Sequence, residues 1–170
     1  MRALGIDPGT VATGYGIVDY KTNKLSFIAS GTIKTSWSSP LPLRLQTIHN
    51  KVLELIDQYH PQIMVVEDTF VGKNFKAALK LGQARGVALL AAQERNLSLF
   101  EYSPTATKLA VTGYGAARKE QVQIMVSRLL SFQEEFSSQH ASDALAAAIC
   151  HLHSDRLQRL VQPGTDQSGF

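Results

Sequence analysis

The chain has 170 residues, 44% of them hydrophobic and 18% charged, a balance that fits one globular domain and excludes intrinsic disorder. Its formal net charge is only +3, too little by itself to mark a nucleic-acid binder, yet Lys73, Lys76, Lys80, Arg85, Arg95, Lys108, Arg118 and Lys119 gather between the middle and the third quarter of the chain. The longest apolar run, Ala144 to Cys150, is too short to span a bilayer, no signal peptide follows Met1, and the single cysteine has no internal partner, so a reducing cytoplasm is the expected setting.

The first expected element is a strand from Ala3 to Asp7, with Leu4 and Ile6 pointing one way and Ala3, Gly5 and Asp7 the other. Pro8-Gly9 stops it and turns the chain back. Asp7 is then a carboxylate at the end of an otherwise buried strand, which calls for a cation, a donor or a raised pKa. The plainer alternative is a turn-forming aspartate before Pro-Gly. Thr10 to Gly14 is expected to be a turn, Tyr15 to Asp19 a second strand, and Leu25 to Ile33 a third, with a turn around Asn23 between them. Short links between three strands predict an antiparallel meander. Ser36 to Pro42, which holds the only tryptophan, reads as a loop. Apolar residues at 45, 48, 52, 55, 56 and 59 then recur at helical spacing, predicting a helix from Leu43 that ends before Pro61.

Ile63 to Val66 is apolar throughout, as expected of a strand covered on both faces, and it ends in Glu67-Asp68. A strand that follows a helix after an earlier strand is expected to run parallel to it. Asp7 and Glu67 would then stand at the carboxyl ends of neighbouring strands, where open α/β sheets bind their ligands. Asn74 is placed to cap a long helix reaching about Asn96. Its Gly82, Ala84, Gly86 and Ala88 would admit a close neighbour, either inside the domain or from a second copy. Leu97 to Tyr102 reads as a fifth strand, Pro104 to Val111 as a short helix, Thr112 to Gly115 as a loop, and Arg118 to Leu130 as an amphipathic helix. The last helix is expected from near Gln139 to about His153, with His140 and Asp143 on one face of its first turn. A surface histidine and an aspartate favoured by the helix dipole are the plainer alternatives there. Arg156 to Phe170 is polar and is expected to be a tail, leaving 1–155 as the domain.

This order of elements is that of an α/β, ribonuclease-H-like domain, a five-stranded mixed sheet flanked by helices. Four motifs sharpen it: Gly-Ile-Asp7-Pro-Gly, Val-Glu67-Asp-Thr-Phe70, Ala78-Leu-Lys-Leu-Gly-Gln-Ala-Arg-Gly86 and His140-Ala-Ser-Asp143-Ala-Leu-Ala. As an ordered set they resemble the RuvC-type Holliday junction resolvases, from residue 2 to about 152. The resemblance implies an endonuclease that resolves four-way DNA junctions by symmetric, metal-dependent nicking of two opposing strands, leaving 5′-phosphate and 3′-hydroxyl ends. It implies that Asp7, Glu67, His140 and Asp143 are the catalytic metal ligands, for Mg2+ or Mn2+, with two ions per subunit. It also implies DNA contacts from Phe70, Lys73, Lys76, Lys108, Arg118 and Lys119, with Phe70 stacking at the junction centre and Lys108 and Lys119 near the scissile phosphates. A homodimer working with RuvA and RuvB, with no membrane attachment, completes what it implies.

Many members of that family carry Asp where this chain has His140. An imidazole removes one negative charge and suits manganese better than magnesium. Direct ligation, contact through water and a proton-transfer role all remain open for it. Three other functions fit parts of the pattern. An actin-like ATPase domain shares the Asp-x-Gly-Thr turn but needs a second lobe for which 170 residues leave no room. A non-catalytic junction-binding module would not need all four competent ligand positions. A nuclease for another structured or single-stranded DNA would need them equally.

Overall fold

The computed structural model describes residues 1–68, 74–133 and 136–161. In chain order it runs β1 (Arg2–Asp7), β2 (Ala12–Lys21), β3 (Lys24–Lys34), α1 (Leu41–Tyr59), β4 (Ile63–Glu67), α2 (Phe75–Glu94), β5 (Ser98–Tyr102), α3 (Pro104–Thr112), α4 (Lys119–Leu130) and α5 (Gln139–Val161). The strands make one sheet in the order β3-β2-β1-β4-β5. β1, β2 and β3 pair antiparallel, while β4 lies parallel to both β1 and β5. The expected meander and crossover are both present, and β1 is the central strand.

Strand parity builds two cores. Leu4 and Ile6 of β1 join Met64 and Val66 of β4 beneath Ile48, Val52 and Ile56 of α1 and Ala84 and Ala88 of α2. Across the sheet, Ala3, Ile63 and Val65 meet Leu145, Ala148 and Ile149 of α5 and Val122 and Val126 of α4. Covering on both faces explains why Ile63 to Val66 is apolar without alternation.

Two glycines decide how closely α5 lies on the sheet. A Cβ at Gly5 would run into the carbonyl oxygen of Ala144, and one at Gly14 into the carbonyl oxygen of His140. Gly14 is also the register partner of Asp7. Bare backbone at these two positions lets the first turn of α5 settle over the end of β1.

Several boundaries differ from expectation. β2 begins at Ala12 because the turn after Asp7 closes early: Thr13 Oγ1 donates to the Gly9 carbonyl at 2.7 Å, and Ala12 already pairs with Lys34. α1 takes Pro42 into its first turn, where a missing N–H costs nothing. α5 continues to Val161, so residues 156–161 of the expected tail are helical. Arg156 and Gln158 are good helix formers, and their polarity belongs to a solvated helix face. The small residues of α2 divide: Ala84 and Ala88 are buried in the domain, whereas no described residue lies within 4 Å of a Cβ at Gly82 or Gly86. Cys150 is a buried core residue whose thiol burial pushes up to about 11. Among the described residues no helix is long and apolar enough to cross a membrane.

Candidate active site

Asp7 closes β1 and Glu67 closes β4, each one residue beyond the register pair Ile6 and Val66. Period-two alternation puts Asp7 with Ala3 and Gly5, and Glu67 with Ile63 and Val65, so both carboxylates belong to the α5 side of the sheet. The first turn of α5 supplies His140 and Asp143 to the same place. His140 Nδ1–H donates to Asp7 Oδ2 at 2.6 Å. The Asp7 side chain is only 18% exposed whereas the imidazole is 49% exposed, so the ring forms the solvent side of the pair.

The electrostatics of this corner are unfavourable for anions. Glu67 is pushed up to about 7, first by burial and then by the charges of Asp7 and Asp143, against the pull of Lys119 and Lys108. Burial is also the leading cause for Asp143, with Asp7 adding to it, and its carboxyl lies above the usual range. Asp7 is raised by burial as well, although the hydrogen bond and charge of His140 and the charge of Lys119 oppose the shift. Three half-buried carboxyls thus repel one another, and two lysines compensate them in part.

A cavity of about 150 Å³ opens beside them, lined by Glu67, Thr107, Lys108, Lys119 and Asp143 among others. Among the residues expected at the site, the structure therefore brings together Asp7, Glu67, His140, Asp143, Lys108 and Lys119. It does not bring Arg118 or Lys76 to this cavity: Arg118 caps α4 from an exposed position, and Lys76 is exposed on the first turn of α2. Phe70 and Lys73 lie outside the described residues. Thr107 is the participant that sequence reasoning missed. It is buried at the wall of the cavity, and its only sequence signal is its place beside Lys108 on a short helix.

Among the described residues no three His, Cys, Asp or Glu side chains converge closely enough, as they stand, to enclose a metal ion. The donor set nevertheless has the chemistry for one. Hard carboxylate oxygens stand here with one imidazole, and burial first, then neighbouring carboxylates, raises Glu67 and Asp143, a conflict that a divalent cation relieves.

Comparison with known proteins identifies the family. Residues 3–151 match the family model described as crossover junction endodeoxyribonuclease RuvC. The protein of that description from Syntrophomonas wolfei is 41% identical over 169 residues, covering 99% of this chain and 98% of its own. The one from Granulibacter bethesdensis is 48% identical over 153 residues, covering 90% and 85%. Among solved structures, T. thermophilus RuvC in complex with Holliday junction substrate superposes with a TM-score of 0.88 at 35% identity, covering 93% of this chain and 96% of that one. The yeast mitochondrial Holliday junction resolvase Ydc2, at 14% identity and a TM-score of 0.62, shares the fold. The fold is ribonuclease-H-like, and with a matching family model over nearly all of the described domain, this chain belongs to the RuvC family of crossover junction endodeoxyribonucleases.

Proposed function

We propose that the protein resolves four-way DNA junctions by nicking two opposing strands symmetrically, leaving 5′-phosphate and 3′-hydroxyl ends, and that Asp7, Glu67, His140 and Asp143 form the catalytic site. The observation that carries this reading is the convergence of Asp7, Glu67 and Asp143 from two parallel strand ends and a helix, with Lys108 and Lys119 beside them. Phosphodiester hydrolysis needs a deprotonated water in line with the leaving oxygen, and a way to spread the charge gathering on the phosphorus.

Asp7, Glu67, Asp143 and His140 would hold divalent cations, Mg2+ or Mn2+ and two per subunit. When bound, such ions supply Lewis acidity for both attack and departure. Asp7, from the central strand, would be one of the residues that hold them. His140 now engages Asp7 Oδ2, so the imidazole either turns to ligate or stays as the group that takes up a proton. The Lys108 and Lys119 ammonium groups orient the phosphate and offset its charge. Phe70 and Lys73, outside the described residues, and Lys76 and Arg118, on exposed surface, extend the contact along the DNA.

A homodimer answers the need for two nicks related by a two-fold axis. Phe75, Leu79, Gly82, Gly86 and Leu90 follow one another at helical spacing on the exposed side of α2, opposite the buried Ala84 and Ala88. That stripe is the proposed dimer face. In the cell the enzyme would act in the cytoplasm together with RuvA and RuvB.

The test is cleavage of a synthetic four-way junction, mapped on all four strands. Wild-type protein should cut two opposing strands at symmetric positions when Mg2+ or Mn2+ is present. Asp7→Asn should lower cleavage by at least a thousandfold and keep junction affinity within a fewfold, on the order of magnitude expected for removing a metal-holding carboxylate. Normal cutting by Asp7→Asn would refute the site.

A further inference from the structure

A second cavity, of about 410 Å³, lies on the other side of the Asp-Pro-Gly-Thr turn. Its lining includes Thr10, Trp37, Arg44, Lys80 and Leu81. Arg44 is only 7% exposed. Its Nε donates to the Thr10 carbonyl at 2.9 Å and more weakly to Thr35 Oγ1 at 3.3 Å. Among the described residues it pairs with no carboxylate. Arg2, Arg85 and Arg95 each do, with Asp19, Glu101 and Asp57. A guanidinium taken out of water without an anion is costly, and a site that keeps one facing a cavity is built to receive one.

The neighbours indicate which kind of anion. Lys80 adds a second positive charge to the lining, and among the described residues no acidic side chain lines the cavity. Trp37 is 80% exposed, a large aromatic face at the rim that stacks on no other ring among the described residues. Two cations and an open indole suit a phosphate joined to a planar base. Thr10, whose carbonyl Arg44 grips, is three residues from Asp7, so the chain holds their Cα atoms within at most about 11 Å of each other.

We propose that this cavity is a strand-holding subsite, in which Arg44 and Lys80 take a backbone phosphate and Trp37 stacks a base of the same strand. The proposal rests on the junction-cleaving function proposed above. It adds a contact that fixes the register of the strand in the active site without reading its sequence. Every base has a face to stack, and every nucleotide carries a phosphate.

Trp37 is the only tryptophan, which makes it a direct reporter. The full-length Asp7→Asn protein is titrated with a dye-labelled four-way junction, and anisotropy fixes the saturation point. Tryptophan emission should be quenched in parallel with binding. Trp37→Ala should weaken junction affinity by about 5- to 100-fold, with Trp37→Phe recovering most of it. Lys80→Ala should reduce the slope of log affinity against log salt by about 0.7 to 0.9. Both residues are exposed, so neither change should unfold the chain. Unchanged emission at saturation, or wild-type affinity and salt slope in both Trp37→Ala and Lys80→Ala, would overturn the subsite while leaving junction cleavage intact. A wild-type protein that neither binds nor cuts the junction would remove the function itself, and the subsite with it.

Discussion

Glu67 is the residue at which opposing effects meet most sharply. Burial and two neighbouring carboxylates press it toward the neutral form, and two lysines pull it back, with the balance at about 7. A carboxyl raised in the folded chain favours folding most below its ordinary value, 4.5, and that contribution is lost as pH rises through about 7. Without divalent cations the melting temperature should therefore fall by a few degrees between those two pH values from this group. Glu67→Gln should flatten that part of the profile, and an unchanged slope by calorimetry would show that Glu67 is not the source. Cation binding should release up to about one proton per chain below pH 7, because a ligand must be ionised. Asp7 and Glu67 are legible from sequence because alternation along a strand assigns the face of every side chain. Arg44 is not. Its burial comes from a turn and a cavity wall distant in sequence, and an arginine on an amphipathic helix otherwise reads as solvated.

At the scale of elements, α5 is what assembles the site. Helical spacing alone puts His140 and Asp143 on one face, but their distance from Asp7 depends on how far the helix sinks onto β1 and β2. Gly5 and Gly14 control that distance. The atom opposing a Cβ at Gly5 is a backbone oxygen of Ala144, which cannot swing aside as a flexible side chain would. Gly5→Ala should thus cost about 1–3 kcal/mol of stability through overpacking. It should also lift the first turn of α5, and a displacement near 1 Å should slow cleavage on the order of a hundredfold. Urea unfolding and single-turnover cleavage measure the two effects separately, and full activity at reduced stability would show that α5 yields elsewhere. The helix boundaries that differed from expectation, at Leu41 and Val161, are places where local composition suggested loop or tail. Proline is harmless in a first turn, and polar helix formers continue a helix whose other face is supported.

For the whole molecule, the open question of α2 becomes a two-sided helix. One side completes the core beneath α1, and the other presents Phe75, Leu79 and Leu90 around two glycines. Leu79→Glu should convert the proposed dimer to monomer, weakening association by at least roughly a hundredfold because the leucine is lost from both partners. Sedimentation measures that directly, and paired nicks on one junction should become single nicks. A variant that stays dimeric would place the interface elsewhere. The sequence by itself determined the order of elements, the facing of Asp7, the place of Glu67 at a neighbouring strand end, and the pairing of His140 with Asp143, since strand and helix periodicities are local rules of backbone geometry. Only the tertiary structure decided that α5 rests on glycine backbone at the end of β1, that Thr107 walls the acidic corner, and that Arg44 is buried beside Trp37 and Lys80. Those are contacts between segments far apart in the chain, set by packing density and by which polar groups lose their water.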